Sequence, residues 1–345
     1  MRRYLPILLI AFFVLVIVIA GSTSLQGYAD KQNPEKSMKS INVYTTLPIE
    51  QLSLLAQEYE KSKNVRINLI PLSEQDLLTR IQVEKAAPHA DVIIANRALL
   101  EQAQKNNTIA PYTSEQIDII PDRFKDANNY WTGLWYDPIV FAVNQDYLKS
   151  LPKLPTKWND LTLDNKCRIG ITDFLAAEAS ANLFYTLLSA NGETQTFAYL
   201  KKLHPQIVQY AKFLTTPIRM AGMGEVDIAI ATQNETIHYM NDKFPIALLY
   251  PEDGTSFILT GAALIAGTHN ESESKEFIDW LLQDIAQSTL YTNNFYYVPT
   301  NPETLIYKYY DTKNIKLWDK KENFSFEQKS QLLDKWIKTV RLASK

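Results

Sequence analysis

Polar and charged side chains recur just after apolar stretches of strand type, and these positions are where this chain could do chemistry. They are Thr45 and Thr46, Asn96 and Arg97, Asp173, the run Gln233, Asn234 and Glu235, and Glu252-Asp253-Gly254. In open α/β sheets ligands settle outside the carboxyl ends of strands, where loops and helix starts converge. Taken alone, each residue has an ordinary use: Thr46 or Asp173 as a helix cap, Asp253-Gly254 as a turn. Their joint occurrence after successive strands is what points to a binding cleft. Asp173, Glu235 and Asp253 set against Arg97 make that cleft acidic. An acidic cleft favours an amine or other cationic group, or a divalent cation held with an organic ligand. Tyr136, with Trp135 beside it, is placed to stack on such a cation.

Sequence signatures of catalysis are not found. The chain has no Gly-x-Ser-x-Gly elbow, no phosphate loop and no Cys/His cluster of zinc spacing. His89, His204, His238 and His269 are far apart. Glu235-x-x-His238 has the spacing of one helix face, but a di-metal site needs two such motifs and further carboxylates. Its plain reading is a solvated helix start. Gly222-Met223-Gly224 lacks a third glycine and precedes a strand, so it reads as a turn. The expectation is no catalytic residue, no metal site and no cofactor.

The elements that must position these residues alternate. Ile41–Thr45, Val65–Leu72 and Ala90–Ala95 read as strands. Leu52, Leu55, Ala56 and Tyr59 recur at helical spacing between the first two, and Ser73 opens a helix to Lys85. This β-α-β-α order predicts a parallel sheet covered on both faces. Tyr130–Asn144 is aromatic and β-rich, suited to cross between lobes. A second series follows: strand Arg168–Thr172, helices Ala176–Ala190 and Thr194–Leu203, and strand Val226–Ala231. Phe257–Ala266 reads as a return crossing, and helices fill the tail at Glu273–Gln283, Thr304–Tyr310 and Phe326–Leu342. The fold class is α/β, with two α/β lobes joined by crossing strands and a ligand cleft between them. The expected division is 41–138 plus 256–345 for lobe 1 and 139–255 for lobe 2.

Composition fits this. Of 345 residues, 46% are hydrophobic and 21% charged, a globular balance. Net charge is −3 with scattered basic residues, which argues against nucleic acid as a partner. Cys167 is the only cysteine, so no intrachain disulfide forms. It reads as a small buried residue at a strand start. Arg2 and Arg3 precede an apolar run from Tyr4 to Ala20 and then small residues, the parts of a secretory signal. Residues 1–29 are therefore a signal cut after Ala29 or an uncleaved N-terminal membrane anchor, and 30–40 a polar spacer. Either way the rest of the chain is exported, to a periplasmic or other extracytoplasmic space. No cysteine follows the apolar run to carry a lipid.

Several stretches resemble, in order, the bacterial extracellular solute-binding proteins of the type 2 periplasmic fold. The similarity is to the branch of ferric-iron binders and organophosphonate or phosphorylated-solute binders. It rests on Ile41-Asn-Val-Tyr-Thr-Thr, Ala90-Asp-Val-Ile-Ile-Ala, Asn107-Thr-Ile-Ala-Pro-Tyr112, Phe141-Ala-Val-Asn144, Gly224-Glu-Val-Asp-Ile-Ala229, Gly261-Ala-Ala-Leu-Ile-Ala266 and Tyr297-Val-Pro-Thr-Asn301. The resemblance implies a monomer whose lobes close on a small molecule or ion and deliver it to a membrane ABC importer of permease and ATPase subunits.

The departures matter as well. Iron binders of this family carry adjacent tyrosines where this chain has Gln233-Asn234-Glu235, and a first-loop histidine where it has Thr45-Thr46-Leu47-Pro48. Phosphate binders place Ser, Thr and Gly after the strand that ends here at Asp173, where this chain has carboxylates and no glycine. The ligand stays open among an amine, an aminophosphonate, a phosphosugar and a metal. Two other readings are also open: a membrane-anchored periplasmic sensing subunit of a two-component system, and an exported hydrolase.

Overall fold

A computed structural model describes residues 38–163, 166–318 and 324–343. The leader or anchor expected in the first 29 residues lies outside the described residues. Among the described residues, no helix is long and apolar enough to cross a membrane.

Strand β1 (Lys39–Thr45) lies between β2 (Val65–Pro71) and β3 (Val92–Asn96), all parallel. Helix Ile49–Lys63 covers them with Leu52, Leu55, Ala56 and Tyr59, the face its spacing predicts. The short β4 (Ile109–Ala110) precedes β5 (Thr132–Asn144), whose residues are buried along its whole length. A strand buried on both faces needs a continuous apolar run, and Ile139–Val143 supplies one. Then come β6 (Ile169–Thr172), β7 (Ile207–Ala211), β8 (Ile228–Thr232), β9 (Ile246–Leu249), β10 (Phe257–Ile265) and β11 (Val298–Pro299). The order across the sheet is β2-β1-β3-β10-β5-β8-β6-β7.

β5 divides the molecule. From Thr132 to Pro138 it pairs antiparallel with β10, and from Ile139 onward with β8 and β9. The partner changes between Pro138 and Ile139, where the proline supplies no N–H to either ladder. One core gathers Tyr59, Trp135, Phe277 and Trp280 around β1, β3 and β10. A second gathers Phe141, Trp158, Phe174 and Phe184 around β6 and β8. Ala142, Ile218, Val226 and Ile246 fill the other face of the second sheet. The chain is thus two α/β lobes sharing one long strand.

Three differences from the sequence reading have physical causes. β10 does not itself cross: it lies in the first sheet between β3 and β5, and the return crossing is the segment 250–256 before it. β7 was not expected, because it is an edge strand whose Val208 and Gln209 face solvent and break the apolar pattern. The tail does not stay with the first lobe. Trp336 and Val340, both fully buried, belong to the second core, together with Trp318 and Phe324. On its way there the chain passes the hinge, where Thr255 donates its N–H to the Lys316 carbonyl and accepts that of Trp318. The lobes are therefore joined by three segments.

Gly254 shows how tightly the second and third segments meet. Its φ is +102°, and a Cβ there would lie 2.6 Å from the Trp318 ring nitrogen. Trp158 donates its ring N–H to the Gly254 carbonyl at 2.8 Å, and the Trp158 and Trp318 rings sit 5.6 Å apart. Cys167 is buried just before β6, as its place in the sequence suggested.

Candidate functional site

The carboxyl ends of β1 and β3 in the first lobe face those of β6 and β8 in the second, and helix starts follow each strand. From the first lobe comes Asn96, the N-cap of helix Arg97–Lys105: its Oδ1 accepts the Leu99 N–H at 2.9 Å. Its side-chain amide donates to Glu74 Oε1 at 2.7 Å. From the second lobe comes Glu178, the first residue of helix Glu178–Asn191, close enough to feel both the Asn96 amide and the Glu74 charge. Carboxylates of opposite lobes thus approach each other near one amide.

Glu178 is open to cleft solvent yet hemmed in by protein. That confinement, and then the nearby charge of Glu74, push its carboxyl up to about 7, while the Asn96 amide works in the opposite direction. Four residues further along the same helix, Asn182 donates to the Phe257 carbonyl of the first sheet. A like-charged pair at a closing face leaves two ways to relieve repulsion: a proton, or a cation between the carboxylates.

At the floor of the cleft, Asp137 of β5 is buried. Its Oδ1 accepts the backbone N–H of Asn234 at 3.0 Å, so the crossing strand supplies a capping carboxylate to helix Gln233–Asn241. Burial, with Glu235 nearby, pushes this carboxyl up to about 7 against the pull of those hydrogen bonds. Glu235 is half-buried beside it. Tyr297, half-buried and close to both, stacks on Trp135 and donates to Gln51 Oε1 at 2.9 Å.

The residues singled out from sequence separate into two sets. Thr46, just past the end of β1, and Glu235, in the first turn of helix Gln233–Asn241, are half-buried. The others are engaged within the protein. Thr45 is fully buried, donating to the Ile94 carbonyl and accepting from Leu47 in a turn. The Arg97 guanidinium pairs with Glu101 at 2.8 Å and lies over the Trp131 ring. Tyr136 is buried in a stack with Phe124, with Phe257 edge-on, so it offers no open face. Asp173 is paired with Arg341 and accepts the Leu175 N–H. Asp253 receives the Trp158 backbone N–H.

Gln233 and Asn234 tie the second lobe to the first. Gln233 donates to the Tyr296 carbonyl at 2.6 Å and accepts from the Tyr250 hydroxyl, and Asn234 Oδ1 accepts the Tyr296 N–H. The start of this helix is therefore buried, where Glu235-x-x-His238 suggested a solvated one. Sequence reasoning placed Asn96 at a strand end beside Arg97, and read Glu74 only as an acidic first-turn residue of a helix. Their signal was present: a polar residue ending β3, and an acidic one in the first turn after β2. Among the described residues, no group of three or more His, Cys, Asp or Glu side chains converges as a metal ion would need.

This architecture, two α/β lobes on a shared strand with a polar cleft at the strand ends, defines a solute-binding protein. Residues 87–320 match the family model of the bacterial extracellular solute-binding proteins, and the chain belongs to that family. A "Probable ABC transporter periplasmic-binding protein" of Sinorhizobium fredii is 26% identical over 280 residues, covering 77% of this chain and 75% of its own. Iron uptake protein A1 of Synechocystis is 23% identical over 302 residues, covering 81% and 82%. Among solved structures, the periplasmic binding protein AfuA of Actinobacillus pleuropneumoniae, with exogenous fructose-6-phosphate bound, is similar with a TM-score of 0.70 at 26% identity. It covers 89% of this chain and 100% of its own. The function is solute binding for an ABC importer, outside the cytoplasm.

Proposed function

We propose that the chain is a non-catalytic receptor, acting as a monomer, that closes on a small polar solute carrying a cationic group. It then presents that solute to the permease and ATPase subunits of an importer. The observation that carries this reading is the approach of Glu178, from the opposite lobe, to Glu74 and to the Asn96 amide that donates to Glu74. An ammonium or amidinium entering there would neutralise the like charges that oppose closure and gain charge-assisted hydrogen bonds. Thr46 and Glu235 would complete the polar wall, and Asp137 would hold the floor. The leader is read as a signal cut after Ala29.

A second reading has its own support. Helix Glu178–Asn191 has no side-chain cap, so the first N–H groups of a fourteen-residue helix are free to meet an anion. The structurally similar AfuA was solved with fructose-6-phosphate bound. Against this stands Glu178 itself, at the first position of the helix, whose charge would repel a phosphate.

Native mass spectrometry of freshly purified protein tests both readings, because tightly held solutes co-purify. A thermal-shift panel of amines, aminophosphonates, phosphosugars and metals follows, since ligand binding to the folded state raises its stability by mass action. Stabilisation by amines supports the cationic solute. Stabilisation by phosphosugars and not by amines overturns it.

A further inference from the structure

The last twenty described residues do more than complete a core. After passing the hinge at Thr255, the tail forms helix Phe326–Trp336 and a further turn, Ile337–Arg341. Trp336 is fully buried against Phe174 at 4.8 Å and Tyr210 at 5.5 Å between ring centres. Five residues on, the Arg341 guanidinium lies over the Tyr210 ring and pairs through Nε with Asp173 Oδ2. The tail ends on His204, whose Nε2 meets the Ala343 carbonyl at 3.2 Å.

Asp173 is the node of the loop that leads to Glu178. Its other carboxylate oxygen accepts the Leu175 N–H at 3.0 Å. Its carbonyl accepts the Ala176 N–H and the Ser180 hydroxyl, and its N–H goes to Ala211 of β7. Between Asp173 and Glu178, Leu175 and Ala176 are exposed and Ala177 is half-exposed, so burial does not hold that stretch. Beyond these hydrogen bonds and the stack of Phe174 on Phe184, it is held by Phe174 against Trp336 and Asp173 against Arg341, and both of these anchors come from the tail.

We propose that Arg341 is a positioning residue for solute binding: through Asp173 it holds the 173–177 loop where Glu178 enters the cleft opposite Glu74 and Asn96. The proposal rests on Glu178 being part of the solute site. Its test needs no solute, so it stands or falls apart from the identity of the ligand.

Amide hydrogen exchange of the full exported chain provides that test. Arg341→Ala should speed exchange of the hydrogen-bonded Leu175, Ala176 and Ala181 amides at least tenfold, while β6, β8 and the first lobe exchange as in the parent. Asp173→Asn, which keeps the Leu175 acceptor but weakens the Arg341 pair, should do the same to a smaller degree. Arg341→Lys should restore most of the protection. Carboxyl NMR of glutamate-labelled protein, with Glu178→Gln assigning the resonance, should show the Glu178 titration midpoint moving toward the ordinary carboxylate range in Arg341→Ala. Unchanged exchange at Leu175, Ala176 and Ala181, or acceleration spread evenly over the second lobe, would overturn the proposal. So would a Glu178 midpoint that does not move.

Discussion

Asp137 caps a helix from another lobe: its carboxylate, in the middle of the strand both lobes share, accepts the backbone N–H of Asn234 at 3.0 Å. The hinge and the floor of the cleft are therefore one hydrogen-bonded unit. Changes in the charge of Asp137 are felt where β5 changes partners and where Gln233 and Asn234 grip Tyr296.

The pH dependence of folding follows from that burial. The carboxyl sits at about 7 in the folded protein against an ordinary value of 3.8. The folded state holds this proton more tightly, so the contribution is fully present below the unfolded value and is lost as pH rises through about 7. Stability should fall between pH 5 and 8, and Asp137→Asn should flatten that slope. The variant should be the more stable at pH 8 by at least about 1.4 kcal/mol, the equivalent of one pKa unit. Urea unfolding at pH 5 and pH 8 measures it, and a parent-like slope in the variant would rule out Asp137 as the source.

Glu178→Gln should separate ligand recognition from lobe closure. Losing a charge-assisted hydrogen bond of about 1.5–3 kcal/mol should weaken binding of a cationic solute roughly 10- to 100-fold. The same change removes repulsion toward Glu74, so the empty protein should be more compact at pH 8 by small-angle scattering. Titration calorimetry should show parent affinity rising from pH 6 to pH 8 as the carboxyl ionises, and the variant should lose that rise.

Arg97→Ala should leave solute affinity within about twofold of the parent. Its guanidinium is held by Glu101 and the Trp131 face, and deleting an exposed i,i+4 ion pair costs about 0.3–0.5 kcal/mol. A larger loss in calorimetry would return Arg97 to the binding wall.

Gly254→Ala should destabilise the hinge. The substitution places a side chain at φ +102° and against the Trp318 ring, each of which is unfavourable. The left-handed conformation alone costs about 1–2 kcal/mol. A lowered urea midpoint with blue-shifted or quenched tryptophan emission would register it, and an unchanged midpoint would show that Trp318 can move aside.

How much of this was legible in the chain depends on where each interaction partner lies. Ile41–Thr45 and Ala90–Ala95 announced themselves because a strand buried between helices has to be apolar throughout. Asp173 announced itself as a polar residue at a strand end, but its partner is 168 residues away and no local pattern links them. Arg97 and Tyr136 looked available for the same reason: Glu101, Trp131, Phe124 and Phe257 enclose them only once the fold exists. Glu74 was legible only as a first-turn acid, and Asn96 only as a polar strand end, because a helix cap and a ligand contact use the same residue types.

The route of the tail also sets an order of events. The first sheet lacks its inner strand until β10 at 257–265 is made, and the second core lacks Trp336 until nearly the last residue. Neither lobe can finish from the chain that precedes these residues, so completion waits for 257–265 in one lobe and for Trp336 in the other, and long-range pairings of this kind are slow to form. In a polypeptide built this way, neither core can be completed by the first half of the chain alone.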